Sequence, residues 1–123
     1  MILLAAALLA ACTVTDGDTI VCSDERIRLL AIDAPEMPGH CRQGRKCVEG
    51  DPNASKRALE RIIQGKTLTI ERTGKDRYGR TTGVVYAGGR NTSCLQLAAG
   101  HARYWARYDE GGLVAKDCPG VVR

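Results

Sequence analysis

Phenylalanine is absent from this 123-residue chain and tryptophan occurs once. A core without large rings has to be aliphatic, and a core that small gains from cross-links. No apolar run approaches the roughly 20 residues that a membrane-spanning helix needs. Internal repeats, a linker and disorder-prone stretches are also missing, and the length suits one compact domain rather than two. The six cysteines include no CxxC pair, and no histidine lies near enough to complete a zinc pattern, which disfavours thiolate metal binding. Nothing resembles a Ser/His/Asp triad, and His40 and His101 have no obvious nucleophile beside them.

What is present begins with charge. A net charge of +4 suits a polyanionic partner, although charge alone does not name one. Residues 1–11, MILLAAALLAA, have no charged side chain and read as the apolar part of a secretory signal, leaving 12–123 as a single domain. The alternatives are an apolar first element of the fold or a wrongly assigned start. Export agrees with six cysteines, because disulfides persist outside the reducing cytosol. A secreted or periplasmic protein follows. Leu9-Ala10-Ala11-Cys12 also resembles a lipoprotein cleavage box, so the rival placement is a lipid anchor on Cys12, the one route by which a membrane would be involved.

Two β-rich runs flank Asp16-Gly17-Asp18, with Gly17 read as giving the turn its backbone freedom. Cys12 and Cys22 are equidistant from Gly17, so an antiparallel hairpin sets them opposite each other and predicts the disulfide Cys12–Cys22. Residues 26–32 form a third strand, ended by Pro35. The loop 37–51 is rich in Gly, Pro and basic residues, and a short Cys41–Cys47 disulfide would pin it. Asp51-Pro52 opens a helix, with Ala54, Ala58, Leu59, Ile62 and Ile63 as its apolar stripe and Gly65 at its end. Residues 66–72 and 81–87 read as strands four and five, and 92–99 as a short helix. The fold class is therefore mainly β with α (α+β): a five-stranded OB-type barrel with two or three helices, a fold whose open face often binds oligonucleotides.

Four acids gather at two strand ends, Asp16 and Asp18 in one, Asp33 and Glu36 in the other. If those ends meet, the carboxylates repel unless a cation joins them, and hard cations such as Ca2+ take such oxygens. Arg28 sits in an otherwise apolar run, where a buried charge needs a partner. Guanidinium forks match phosphate in two-point contacts. Acids, a divalent ion and arginines are the parts that phosphodiester cleavage requires.

Val14 to Thr19, Arg28 to Glu36 and Asp76 to Arg80, in that order and with a helix between the second and third, resemble the signature segments of the staphylococcal nuclease-like (thermonuclease) family. The resemblance runs from about residue 12 to about residue 108. It implies a calcium-dependent nuclease acting on DNA or RNA and leaving 3′-phosphate ends. Position by position, it implies that Asp18 and Asp33 ligate one Ca2+ ion, with Ala34 giving its backbone carbonyl and Asp16 holding water next to the ion. Glu36 becomes the general base, and Arg28 and Arg80 the arginines on the scissile phosphate. Arg77 and Tyr78 match positions that contact a terminal phosphate, and Tyr108 one of two aromatic residues lining the nucleotide pocket. Ala106 stands where the family has the other. Two further departures are a Cys-bearing loop at 37–51 and a shortened C-terminal helix, for which a Cys94–Cys118 disulfide would replace some of the lost packing. No protein partner is implied, and the chain is read as a monomer. The alternative function is a non-catalytic nucleic-acid-binding OB barrel, against which the full set of acids and arginines argues.

Overall fold

The structure, a computed structural model, describes residues 6–122. The first five residues of the apolar run 1–11 thus lie outside the described residues.

The elements in chain order are β1 (Ala7–Leu9), β2 (Cys12–Asp16), β3 (Thr19–Cys22), β4 (Glu25–Leu29), β5 (Ile32–Asp33), α1 (Pro52–Ile63), β6 (Leu68–Lys75), β7 (Thr81–Ala87), β8 (Arg90–Asn91), α2 (Thr92–Ala98), β9 (Arg103–Tyr104) and α3 (Leu113–Asp117). The main sheet runs β1-β6-β7-β4-β3-β2, with β8 on β7, and β5 pairs separately with β9. Among the described strands only β4 and β7 pair in parallel, which the long connection through β5, α1 and β6 permits. The two ends of the sheet path are one stretch of chain. β1 bonds to β6 and β2 bonds to β3, with only Ala10 and Ala11 between them, so a single bent strand curls the sheet on itself. Counted that way, the barrel has five strands, as the sequence pattern implies. Part of the apolar run 1–11 thereby takes the place of a first strand.

The hairpin register sets Cys12 opposite Cys22, and the two are disulfide-bonded. The third strand of the sequence reading does not run unbroken from 26 to 32. It stops at Leu29 and resumes at Ile32, because Ala31 takes a left-handed backbone at φ 63° and hands its carbonyl to Trp105 N–H at 2.7 Å. The expectation for Gly17 also needs correcting. Its backbone is not in the left-handed region; the glycine is required because an added Cβ would stand 1.8 Å from the Ser55 hydroxyl.

Helix α1 starts where local chemistry dictates. The Asp51 carboxylate accepts from the Asn53 and Ala54 amides at 2.9 and 3.1 Å, and Pro52 follows as first helical residue. The helix lays Leu59, Ile62 and Ile63 on the barrel core of Ile20, Cys22, Ile27, Leu29, Ile32, Ile70 and Val85. Among the described residues, no aromatic ring is in the buried hydrophobic core. The helix also buries Ser55, whose hydroxyl donates to the His101 carbonyl at 2.7 Å. Helix α2 buries Thr92, Ser93 and Gln96, whose donor groups go to main-chain carbonyls of Val85, Leu30, Gly17 and Ser55, while Gln96 Oε1 is left without a partner. These bonds fix the β2–β3 turn against both helices. Cys94–Cys118 joins α2 to the end of α3, and Cys41–Cys47 closes the loop before α1.

Candidate active site

The turn after β2 and the short β5 bring Asp16, Asp18 and Asp33 to one place, all of them buried. Arg28, projecting from β4 between them, links the two strand ends. Its Nη1 lies 3.2 Å from Asp18 and 2.7 Å from the Ile32 carbonyl, and its Nη2 donates to Asp33 at 3.2 Å. Asp18 is held further by the Ala34 amide at 2.8 Å and by the Thr19 hydroxyl at 2.8 Å. The charge that stood out in an apolar strand thus has its partners, and they are two of the predicted ligands.

Glu36 leaves the same strand end three residues after Asp33. Burial, then the nearby charge of Asp18, pushes its pKa above the ordinary carboxylate range. Asp16 is raised for the same reasons in the same order. Its Oδ1 is buried with no hydrogen-bond partner, and the nearest base, His40 Nδ1, stands 3.7 Å away. An orphaned carboxylate oxygen beside three more carboxyl groups is the donor chemistry that a divalent ion such as Ca2+ takes. Asp16, Asp18 and Asp33 therefore fit an ion chemically. Among the described residues, no group of three His, Cys, Asp or Glu stands ready to hold one. Asp18 and Asp33 face arginines instead.

One of those arginines was not among the candidates. Arg45 reaches in from the Cys41–Cys47 loop, with Nη2 at 2.9 Å from Asp33 Oδ2 and 3.1 Å from its Oδ1, and Nη1 at 3.0 Å from Glu36. The only sign of it in the sequence is a basic loop following Glu36.

The remaining candidates occupy neighbouring ground. Asp76 accepts from the Tyr78 and Arg80 amides and pairs with Arg80 Nε at 2.7 Å, which folds the turn between β6 and β7. Arg80 is therefore turned to Asp76 and makes no ion pair with the carboxylates around Arg28. Arg77 is exposed, and its guanidinium lies 5.2 Å from the Tyr78 ring centre. The Cys41–Cys47 loop reaches this side too, because Arg42 stacks 4.0 Å above the Tyr78 ring. Tyr108 is exposed and meets Trp105 edge to face, 4.3 Å between centroids. Ala106 leaves no ring at its position, as the sequence indicates.

Comparison with known proteins agrees with this geometry. The family described as "Staphylococcal nuclease homologue" matches residues 26–117. An "Uncharacterized endonuclease" of Escherichia coli is 37% identical over 101 residues, covering 78% of this chain and 60% of that protein. The "Probable staphylococcal-like nuclease CAN1" of Oryza sativa subsp. japonica is 34% identical over 102 residues, 81% of this chain and 27% of the plant protein. The "Succinoglycan biosynthesis protein ExoI" of Rhizobium meliloti is 34% identical over 92 residues, 73% of this chain and 48% of its own length. The chain thus spans less than two thirds of each of these relatives. A family match over most of the chain, on a curled barrel that gathers two of the three signature segments around Arg28 with the third on the adjoining turn, shows that this chain belongs to the staphylococcal nuclease homologue family.

Proposed function

We propose that this chain is a metal-dependent nuclease that hydrolyses phosphodiester bonds of DNA or RNA. The observation that carries the reading is the Arg28 fork joining Asp18 and Asp33, with the raised carboxyl of Glu36 beside them. Relatives named as endonuclease and staphylococcal-like nuclease support it.

Asp18 and Asp33, with the Ala34 carbonyl, would hold the ion, and Asp16 would orient water next to it. When bound, Ca2+ supplies Lewis-acid polarisation of a phosphoryl oxygen. The chain's own residues do the rest. Glu36 takes the proton of the attacking water, and a carboxyl raised by burial is a better base near neutral pH than an exposed one. Arg28, released from one carboxylate by the incoming phosphate, keeps its planar fork for two phosphate oxygens and steadies the charge that grows on them. Arg80 joins it by leaving Asp76. Arg77 and Tyr78 take a neighbouring phosphate, and Tyr108 lines the nucleotide pocket. The products would end in a 3′-phosphate. Three disulfides support a protein that works in an oxidising compartment, secreted or periplasmic.

The test uses the full oxidised chain with single-stranded DNA or RNA, in Ca2+ or in chelator, beside Glu36→Gln. Cleavage that needs Ca2+ and falls by roughly two to four orders of magnitude in the variant is the expected result. Binding without cleavage under every divalent ion would leave a non-catalytic nucleic-acid-binding barrel.

A further inference from the structure

Next to the carboxylates lies a cleft of about 1220 Å³ to which the family signature segments contribute only Asp33 and Pro35. We infer that it is a further nucleotide subsite, in which Arg45 takes a backbone phosphate flanking the scissile one and Trp105 stacks the adjoining base. The inference rests on the nuclease reading, since it extends the same substrate strand beyond the reacting phosphate.

Three observations point to it. The first is position. Asp33, Arg45 and Trp105 all line the cleft, so it adjoins the carboxylates through Asp33, to which Arg45 is bonded. The second is the Arg45 fork. It now spends both nitrogens on the oxygens of Asp33 and Glu36, and a phosphate offers the same two-point geometry. The Cys41–Cys47 disulfide tethers the loop that presents it. Its guanidinium carbon is 5.8 Å from the Trp105 ring centre, which puts a phosphate-binding fork and a stacking face within reach of one nucleotide.

The third observation is Trp105 itself. Its backbone is pinned by the hydrogen bond to Ala31 and its ring by the edge contact with Tyr108, yet the residue stays 36% exposed. A tryptophan immobilised from two sides and left facing solvent suits base stacking, which is sequence-tolerant and contributes roughly 1–3 kcal/mol per base. It also stands next to Ala106, where the signature pattern leaves an aromatic position empty. Lys46, His101 and Arg103 add positive or protonatable groups to the cleft. Glu49 and Asp51 line it too, which assigns the phosphate to the Arg45 side and leaves the acidic stretch to solvent or base edges.

Trp105 is the only tryptophan in the chain, so its intrinsic fluorescence reports the subsite without any turnover. The full oxidised chain in chelator is titrated with single-stranded DNA, and in a second arm RNA, of roughly eight nucleotides, with labelled-oligonucleotide anisotropy followed in parallel. Saturable quenching of Trp105 is expected. Arg45→Ala, a change on an exposed loop, should weaken binding roughly tenfold. Trp105→Leu should weaken it similarly in anisotropy, and Trp105→Phe should restore most of the loss. Binding that leaves Trp105 fluorescence unchanged, or that Arg45→Ala does not weaken, overturns the subsite. Cleavage in Ca2+ without quenching removes the subsite and keeps the nuclease. Quenching without cleavage under every divalent ion keeps the subsite and removes the nuclease.

Discussion

Arg28 does two jobs with one planar group. It satisfies the buried charges of Asp18 and Asp33 and, by bonding the Ile32 carbonyl, holds the strand end on which Asp33 sits. A lysine has one point charge and cannot bridge three acceptors in that geometry. Glu36 and Asp16 differ from Glu25 in a way that separates chemistry from stability. The first two are raised because burial and neighbouring acids outweigh the cations beside them, Arg45 on Glu36 and His40 near Asp16. Glu25 is lowered to about 2, first by the hydrogen bond from Arg72 and then by Thr81, in spite of some desolvation. A carboxylate whose folded pKa is depressed contributes stability that is complete above its unfolded value and is lost as pH falls through the folded one. The window therefore runs from the ordinary 4.5 down to about 2. Arg72 is 44% exposed, so screening reduces the contribution to about 1 kcal/mol. Urea unfolding of Glu25→Gln should lie about that much below the parent chain near neutral pH and converge with it towards pH 2.

Among the elements, α1 is the most legible in sequence and the loop before it the least. The Asp51 cap, the Pro52 start and the Gly65 turn act within a few residues, so spacing alone reveals them. The Cys41–Cys47 loop has no regular element among residues 37–50, and a basic residue in it carries no mark of its direction. That Arg45 turns to Asp33 while Arg42 turns to Tyr78 is a consequence of where two other loops happen to lie. Helix α3 illustrates the role of a cross-link. It has five residues, too few to persist alone, and is held by Val114 in a small aliphatic cluster, by the Asp109 carboxylate on two of its amides and by Cys94–Cys118. Replacing both cysteines by alanine should lower stability by roughly 2–4 kcal/mol, read as a shift in the denaturation midpoint. An unchanged midpoint would mean that Val114 packing and the Asp109 cap hold the tail without the cross-link.

For the whole molecule, the strand that closes the barrel and the apolar segment read as an export signal share residues. Ala7, Leu8 and Leu9 pair with Ile70, Thr69 and Leu68, which covers one edge of β6. Removing residues 1–11 uncovers that edge, and unpaired edges invite association between copies. The chain from residue 12 should therefore unfold at lower urea and scatter light sooner on heating than the full chain. Equal midpoints would show that β1 adds nothing to the fold, which would leave the segment free to serve only as a signal.

The sequence by itself determined the family, the aliphatic core, the succession of five strands, the cap of α1 and the need of Arg28 for acidic partners. Those features depend on periodicity, turn chemistry and short motifs, all of which act locally along the chain. The tertiary structure alone decided the rest. It bent β1 and β2 into one closing strand, and it broke the third strand at Ala31 so that Trp105 could bond there. It made Gly17 a matter of space for Ser55 rather than of backbone freedom. It also brought Arg45 onto Asp33 and set Trp105 beside it. Each of these is a contact between residues far apart in sequence or held by a loop without periodicity, and its geometry exists only once the barrel has closed.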